Sequence, residues 1–84
     1  MGEPLTVTIG CDLGDKESTL CVLEADGRLE RPNPLRTTRE AFRSFFTRAP
    51  AHVVVEVGTH SRWVREELEQ LGHRVTVANC LHWM

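Results

Sequence analysis

The chain has 84 residues, a formal net charge of −2 and a pI near 6.0, with 40% apolar and 26% charged residues. That leaves room for one domain, burying roughly 60–65% of its unfolded surface, and it gives nucleic-acid binding no support from net charge, though it leaves open a local basic patch. No apolar run approaches the ~20 residues that cross a bilayer as a helix. Three widely spaced cysteines, Cys11, Cys21 and Cys80, offer neither a disulfide framework nor zinc spacing, so a reducing cytoplasm is the default setting. Cys11 and Cys21 lie in strand-like runs and read as small buried hydrophobes. Cys80-x-His82 is too little for a metal site. Met1-Gly2 with Thr6 matches a myristoylation pattern only formally, since Pro4 interrupts it.

Residues 5–12 alternate Leu5, Val7, Ile9 and Cys11 against Thr6, Thr8, Gly10 and Asp12, the period of a strand. Gly14-Asp15-Lys16 makes a turn. Ser18 to Glu24 forms a second strand with apolar residues on both parities, so both faces are expected to be partly buried. Ala25-Asp26-Gly27-Arg28 is a hairpin signal, because Asp-Gly tolerates positive φ. A third strand from about Arg28 to Leu35 contains Pro32 and Pro34, which donate nothing to a ladder and place it at a sheet edge. Thr37-x-x-Glu40 reads as a capping box, opening a helix with Ala41, Phe42, Phe45 and Phe46 on one face and closed by Pro50. The Phe cluster is core. His52 to Val57 is nearly all valine, which predicts a central fourth strand covered on both faces. Thr59 or Ser61 caps a second helix, with Val64, Leu68 and Leu71 at i, i+4 and i+7. Gly72 falls at its C′ position. Arg62–Glu66 and Arg65–Glu69 are i, i+4 pairs, and Trp63 is a packing residue. Residues 74–78 form a fifth strand, with Val75 and Val77 alternating. Of the nine arginines, Arg28, Arg31, Arg36, Arg39, Arg43 and Arg48 crowd one third of the chain, as a solvated surface or as a phosphate-contacting stripe.

A hairpin meander followed by two right-handed crossovers predicts an α/β fold with a mixed five-stranded sheet, order 3-2-1-4-5, and two helices. The first and fourth strands are then parallel neighbours ~4.8 Å apart, and Asp12 and Glu56 meet at their carboxyl ends. A carboxylate in so apolar a run is costly to bury unless something positive meets it. Two of them at one edge suit Mg²⁺, an oxygen-preferring ion often held by one or two carboxylates plus phosphate, and with it metal-assisted phosphodiester chemistry. The alternative is that Asp12 caps a turn and Glu56 pairs with Arg62 or Arg74. His60, four residues past Glu56, stands at the mouth of the same edge, within reach of a phosphate or water, or else as an ordinary helix-start residue. Asp15 and Lys16 are further candidates for that edge, against a solvated turn.

Four segments in order, Ile9-Gly10-Cys11-Asp12-Leu13-Gly14-Asp15-Lys16, Leu35-Arg36-Thr37-Thr38-Arg39-Glu40, Val54-Val55-Glu56-Val57-Gly58-Thr59-His60-Ser61 and Leu71-Gly72-His73-Arg74-Val75, resemble transposases of the insertion-sequence-110 type. Their amino-terminal domain is similar to Holliday-junction resolvases. The resemblance covers residues 5–79, with 80–84 a divergent tail. It implies a ribonuclease H-like fold, incomplete at its carboxy-terminus, and the function of a bacterial DNA transposase working with Mg²⁺, DNA and a guide RNA. It also implies an Asp-Glu-Asp-Asp tetrad of metal-binding, catalytic residues. Asp12 matches the first member and Glu56 the second. The other two fall on a later helix past residue 84, as does the domain bearing a nucleophilic serine. The expectation is a truncated transposase, inactive alone, with Mg²⁺ bound weakly or not at all.

Two rival readings come from other classes. A non-catalytic interaction module, leaving a sheet face or edge uncovered, would dimerise or pair with a full-length transposase. Asp12-Leu13-Gly14 before a hairpin also resembles the first phosphate loop of actin-like ATPases and sugar kinases, but the second Asp-x-Gly loop those proteins need is missing.

Overall fold

A computed structural model of the chain describes residues 7–79. It shows an α/β fold with a mixed sheet and two helices. The elements are β1 (Thr8–Leu13), β2 (Glu17–Leu23), β3 (Leu29–Glu30), β4 (Leu35–Arg36), α1 (Arg39–Phe46), β5 (His52–Glu56), α2 (Ser61–Gln70) and β6 (Arg74–Ala78). The sheet runs β3-β2-β1-β5-β6, with β4 also on β2. β1 and β2 pair antiparallel, while β1–β5 and β5–β6 are parallel. The expected start of the first strand at Leu5 and the tail 80–84 lie outside the described residues.

The strand order corrects the expectation in one respect: the third strand is two short pieces. β3 pairs Val22 with Glu30 and β4 pairs Ser18 with Leu35. Four steps along β2 thus face five on the other side, and the extra residue is lodged in Arg31-Pro32-Asn33-Pro34. Two prolines that cannot donate leave the ladder and rejoin it beyond. The preceding turn is as expected: Gly27 has φ +91°, and Glu24 and Arg28 close the hairpin through a 2.8 Å N–H···O bond. In the β1–β2 turn, the Gly14 N–H donates to the Glu17 carbonyl at 3.1 Å. A Cβ on Gly14 would overlap that same oxygen, so the turn requires glycine.

Burial is one-sided. Ile9, Cys11, Leu20, Val22, Val53 and Val55 face a single core together with Phe42, Phe46, Val64 and Leu68 of the helices. α1 has eight residues, too few to be stable alone. Burying Phe42 and Phe46, each worth roughly 1.5–3 kcal/mol, holds it in place. Among the described residues no helix covers the opposite face, built from Gly10, Asp12, Thr19, Cys21, Val54 and Glu56. This corrects two expectations. β5 alternates between buried and half-buried rather than being covered on both sides, and β2 buries Ser18, Leu20 and Val22 while Thr19 and Leu23 are exposed.

The helix caps differ from expectation by a residue. Thr38, not Thr37, caps α1, its hydroxyl accepting from the Ala41 N–H at 3.1 Å. Thr37 is engaged elsewhere: its hydroxyl donates to the Gly14 carbonyl (2.7 Å) and bonds the buried Ser18 hydroxyl (2.8 Å), tying the helix entry to the β1–β2 turn. His60 occupies the N-cap position of α2 without a capping side-chain bond. Ser61 donates its hydroxyl to the Gly58 carbonyl at 2.8 Å. Gly72, at φ +96°, ends α2 as expected.

Candidate functional site

β1 and β5 run parallel with Cys11 opposite Val55. Asp12 and Glu56 are the next residues on each strand, and both lie on the face that no described helix covers. They line one shallow depression of about 380 Å³ with Gly10, Thr19, Arg31 and Val54. The floor is low because Gly10 has no side chain; a Cβ there would meet nothing within 4 Å. Asp12 is exposed and Glu56 half-buried. Among the described residues neither carboxylate has a hydrogen-bond or ion-pair partner, so Glu56 is paired with neither Arg62 nor Arg74. Oxygen donors of this kind are what a hard divalent cation takes from a protein. Arg31 also lines the depression, and a guanidinium is a group suited to a phosphate. Its place there follows from the proline-broken edge, which sequence spacing did not reveal.

The other three candidates stand apart from this depression. His60 turns toward the helix layer. The Trp63 indole N–H donates to its Nδ1 at 3.0 Å, which leaves Nε2 carrying the proton toward the Asp15 carboxylate 3.2 Å away. Trp63 in turn packs edge-on against Phe42, with ring centroids 5.6 Å apart. Asp15 and Lys16 line a second hollow of about 340 Å³ with Arg36 and Thr37.

The arginine-rich third of the chain does not form one stripe. Arg28 pairs with Asp26 at 2.9 Å. Arg39 and Arg43 both reach Glu67 on α2, each at 2.6 Å. Arg48 lies over the Phe45 ring. The hydrogen bonds from Arg43 and then Arg39 hold the Glu67 carboxyl below the usual carboxylate range. Sequence reading missed this clamp, although a glutamate beside Leu68, on the buried side of α2, is a signal that a cation must meet it. It also missed His73, buried between α1 and β5, whose Nδ1 accepts from the Ala51 N–H (3.1 Å) while Nε2–H donates to the Phe46 carbonyl (2.7 Å). Of the expected helix pairs, Arg65–Glu69 forms at 3.1 Å, whereas Arg62 and Glu66 are not bonded to each other. Cys11 and Cys21 are free thiols on opposite faces of the sheet. Burial pushes the Cys11 thiol up to about 12.

Among the described residues no group of three or more His, Cys, Asp or Glu side chains is gathered as a metal cage. What Asp12 and Glu56 fit is a two-carboxylate site, which suits Mg²⁺ because that ion retains several waters or takes phosphate oxygens. No described helix is long and apolar enough to cross a membrane. No family model and no curated protein matches the chain.

Proposed function

We propose that this chain is part of the catalytic domain of a DNA transposase of the insertion-sequence-110 type, with a ribonuclease H-like sheet, and that Asp12 and Glu56 are ligands for Mg²⁺. The observation that carries the reading is the placement of these two carboxylates, without a partner among the described residues and next in register on parallel neighbouring strands, in one depression. The strand order, with a broken edge strand beside a hairpin and two parallel crossovers, supports it. When bound, the ion supplies charge stabilisation to the oxygens of a phosphodiester. Asp12 and Glu56 orient it through their oxygens, and Arg31 offers donors to a phosphate at the same depression. DNA and a guide RNA are the partners that the resemblance brings, and the cytoplasm is the setting. His60, Asp15 and Lys16 take no part in holding the ion. Asp12 and Glu56 match two members of the tetrad that the resemblance implies, and two carboxylates by themselves hold the ion weakly.

The test is a Mn²⁺ titration followed by paramagnetic broadening of amide signals, with Mg²⁺ competition, on the wild type and on Asp12→Asn and Glu56→Gln. Saturable broadening centred on Gly10, Asp12 and Glu56, lost in both variants, supports the reading. A folded chain whose signals do not respond refutes it. The uncovered sheet face favours a second reading, a module that docks on other proteins without chemistry. Metal-independent DNA or protein binding that survives both substitutions would select it.

A further inference from the structure

We infer that the open edge of β6 pairs with the same edge of a second copy of this chain, giving a two-fold dimer with one continuous sheet. The inference is independent of the proposed metal site. Its first support is the contrast between the two sides of the sheet. One is blunted, since β3 and β4 have two residues each and are separated by Pro32 and Pro34. The other, β6, is five residues long, Arg74-Val75-Thr76-Val77-Ala78, with no proline, glycine or bulge. Such an edge is a template for pairing unless it is covered, and no described element covers it.

The backbone has the right phase. The Arg74 N–H donates to the Ala51 carbonyl at 3.1 Å, and the Ala78 carbonyl accepts from the Val57 N–H at 2.8 Å. Residues 74, 76 and 78 therefore spend both backbone groups on β5, and the N–H and C=O groups of Val75 and Val77 point outward. An antiparallel partner centred on Thr76 sets Val75 against Val77 of the other copy, twice over, and satisfies all eight of those groups in four N–H···O bonds. The same register puts Thr76 beside Thr76, a favourable cross-strand pair, and Arg74 beside Ala78, so no like charges face each other.

The helix layer supplies an independent complementarity. A two-fold axis perpendicular to the sheet keeps both helix layers on the same side and brings the two α2 helices together antiparallel. On the side of α2 next to the β6 edge lies a hollow of about 410 Å³, lined by Arg62, Arg65, Glu66, Glu69 and Val77. The arginines occupy the amino-terminal half of that stripe and the glutamates the carboxy-terminal half. The antiparallel arrangement sets Arg62 and Arg65 of each copy against Glu69 and Glu66 of the other. A parallel or shifted partner would set like against like.

Sedimentation velocity of the full chain, from micromolar to millimolar, should show the 9.5 kDa species converting to twice that mass. Thr76→Lys places two ammonium groups at the two-fold axis and should weaken the dimer roughly tenfold or more. Arg62→Glu with Arg65→Glu gives a wholly acidic stripe, and Glu66→Arg with Glu69→Arg a wholly basic one. Each should be monomeric alone, and their mixture should dimerise. Circular dichroism checks that the variants remain folded, and the helix-stripe pair decides the matter if Thr76→Lys does not. A single 9.5 kDa species across the range overturns the inference. So does a dimer that ignores both the Thr76 and the stripe substitutions.

Discussion

Replacing His73 by leucine isolates a contact that joins three elements. The imidazole accepts from the Ala51 N–H and donates to the Phe46 carbonyl, and Phe46 and Ala51 are themselves at most 1% exposed. Leucine fills most of the space and bonds neither group. Each buried polar group left without a partner costs about 1–3 kcal/mol, so the pair should cost about 2–6 kcal/mol. The loss of the edge-on contact between the His73 and Phe46 rings, 5.4 Å between centroids, adds about 0.5–1.5 kcal/mol. The whole stability of a chain this size is about 4–13 kcal/mol, so His73→Leu removes a large share of it. Urea titration, with stability taken from the midpoint at unchanged slope, measures the loss. His73→Gln carries an amide donor near the position of Nε2, retains the bond to Phe46, and should lose about half as much. A loss below about 1 kcal/mol for leucine, or equal losses for leucine and glutamine, would refute the argument that these two bonds hold the end of α1 against the start of β5.

Two further outcomes follow from the titratable groups. The carboxyl of Glu67 sits below its unfolded value because Arg43 and Arg39 bond it. Its contribution is therefore fully present above the ordinary glutamate pKa of about 4.3 and is lost as pH falls through the lower folded value; denaturation midpoints taken from neutral to strongly acidic pH should show this decline in the wild type and a flatter profile in Glu67→Gln. Cys11, pushed up to about 12 inside the core, should resist alkylation at neutral pH in the folded chain and react once denaturant is added, a difference that mass spectrometry of the Cys11 peptide reads directly.

Local signals in the sequence carried well where the chain's own chemistry sets the conformation. Asp26-Gly27 made its turn, Gly72 ended α2, and the spacing of Phe42, Phe46, Val64 and Leu68 identified the faces that form the core. The valines of β5 misled for a physical reason: β-branched residues suit a pleated strand whether or not both faces are covered, so an unbroken run does not report how many layers lie above it. Thr37 and Thr38 are both competent caps, and the choice between them was made by Ser18 and Gly14, about twenty residues away in sequence. Distance in sequence also hid the clamp of Glu67 by Arg39 and Arg43. At the candidate site, the adjacency of Asp12 and Glu56 followed from topology. The direction of His60 did not, because it depends on where Trp63 presents its indole N–H.

The proline-broken edge of the sheet sets a limit on growth. A sheet with two equally receptive edges adds copies at both and becomes a fibre, because each addition exposes a fresh edge like the last. Here Pro32, Pro34 and the extra residue between β3 and β4 act as a chain terminator on one side. Any association through β6 uses up the receptive side of both molecules and leaves terminators facing outward. The stoichiometry is then closed at two, however concentrated the protein becomes. Removing both prolines would test the polymer chemistry of the fold, turning a self-limiting pair into an open-ended one.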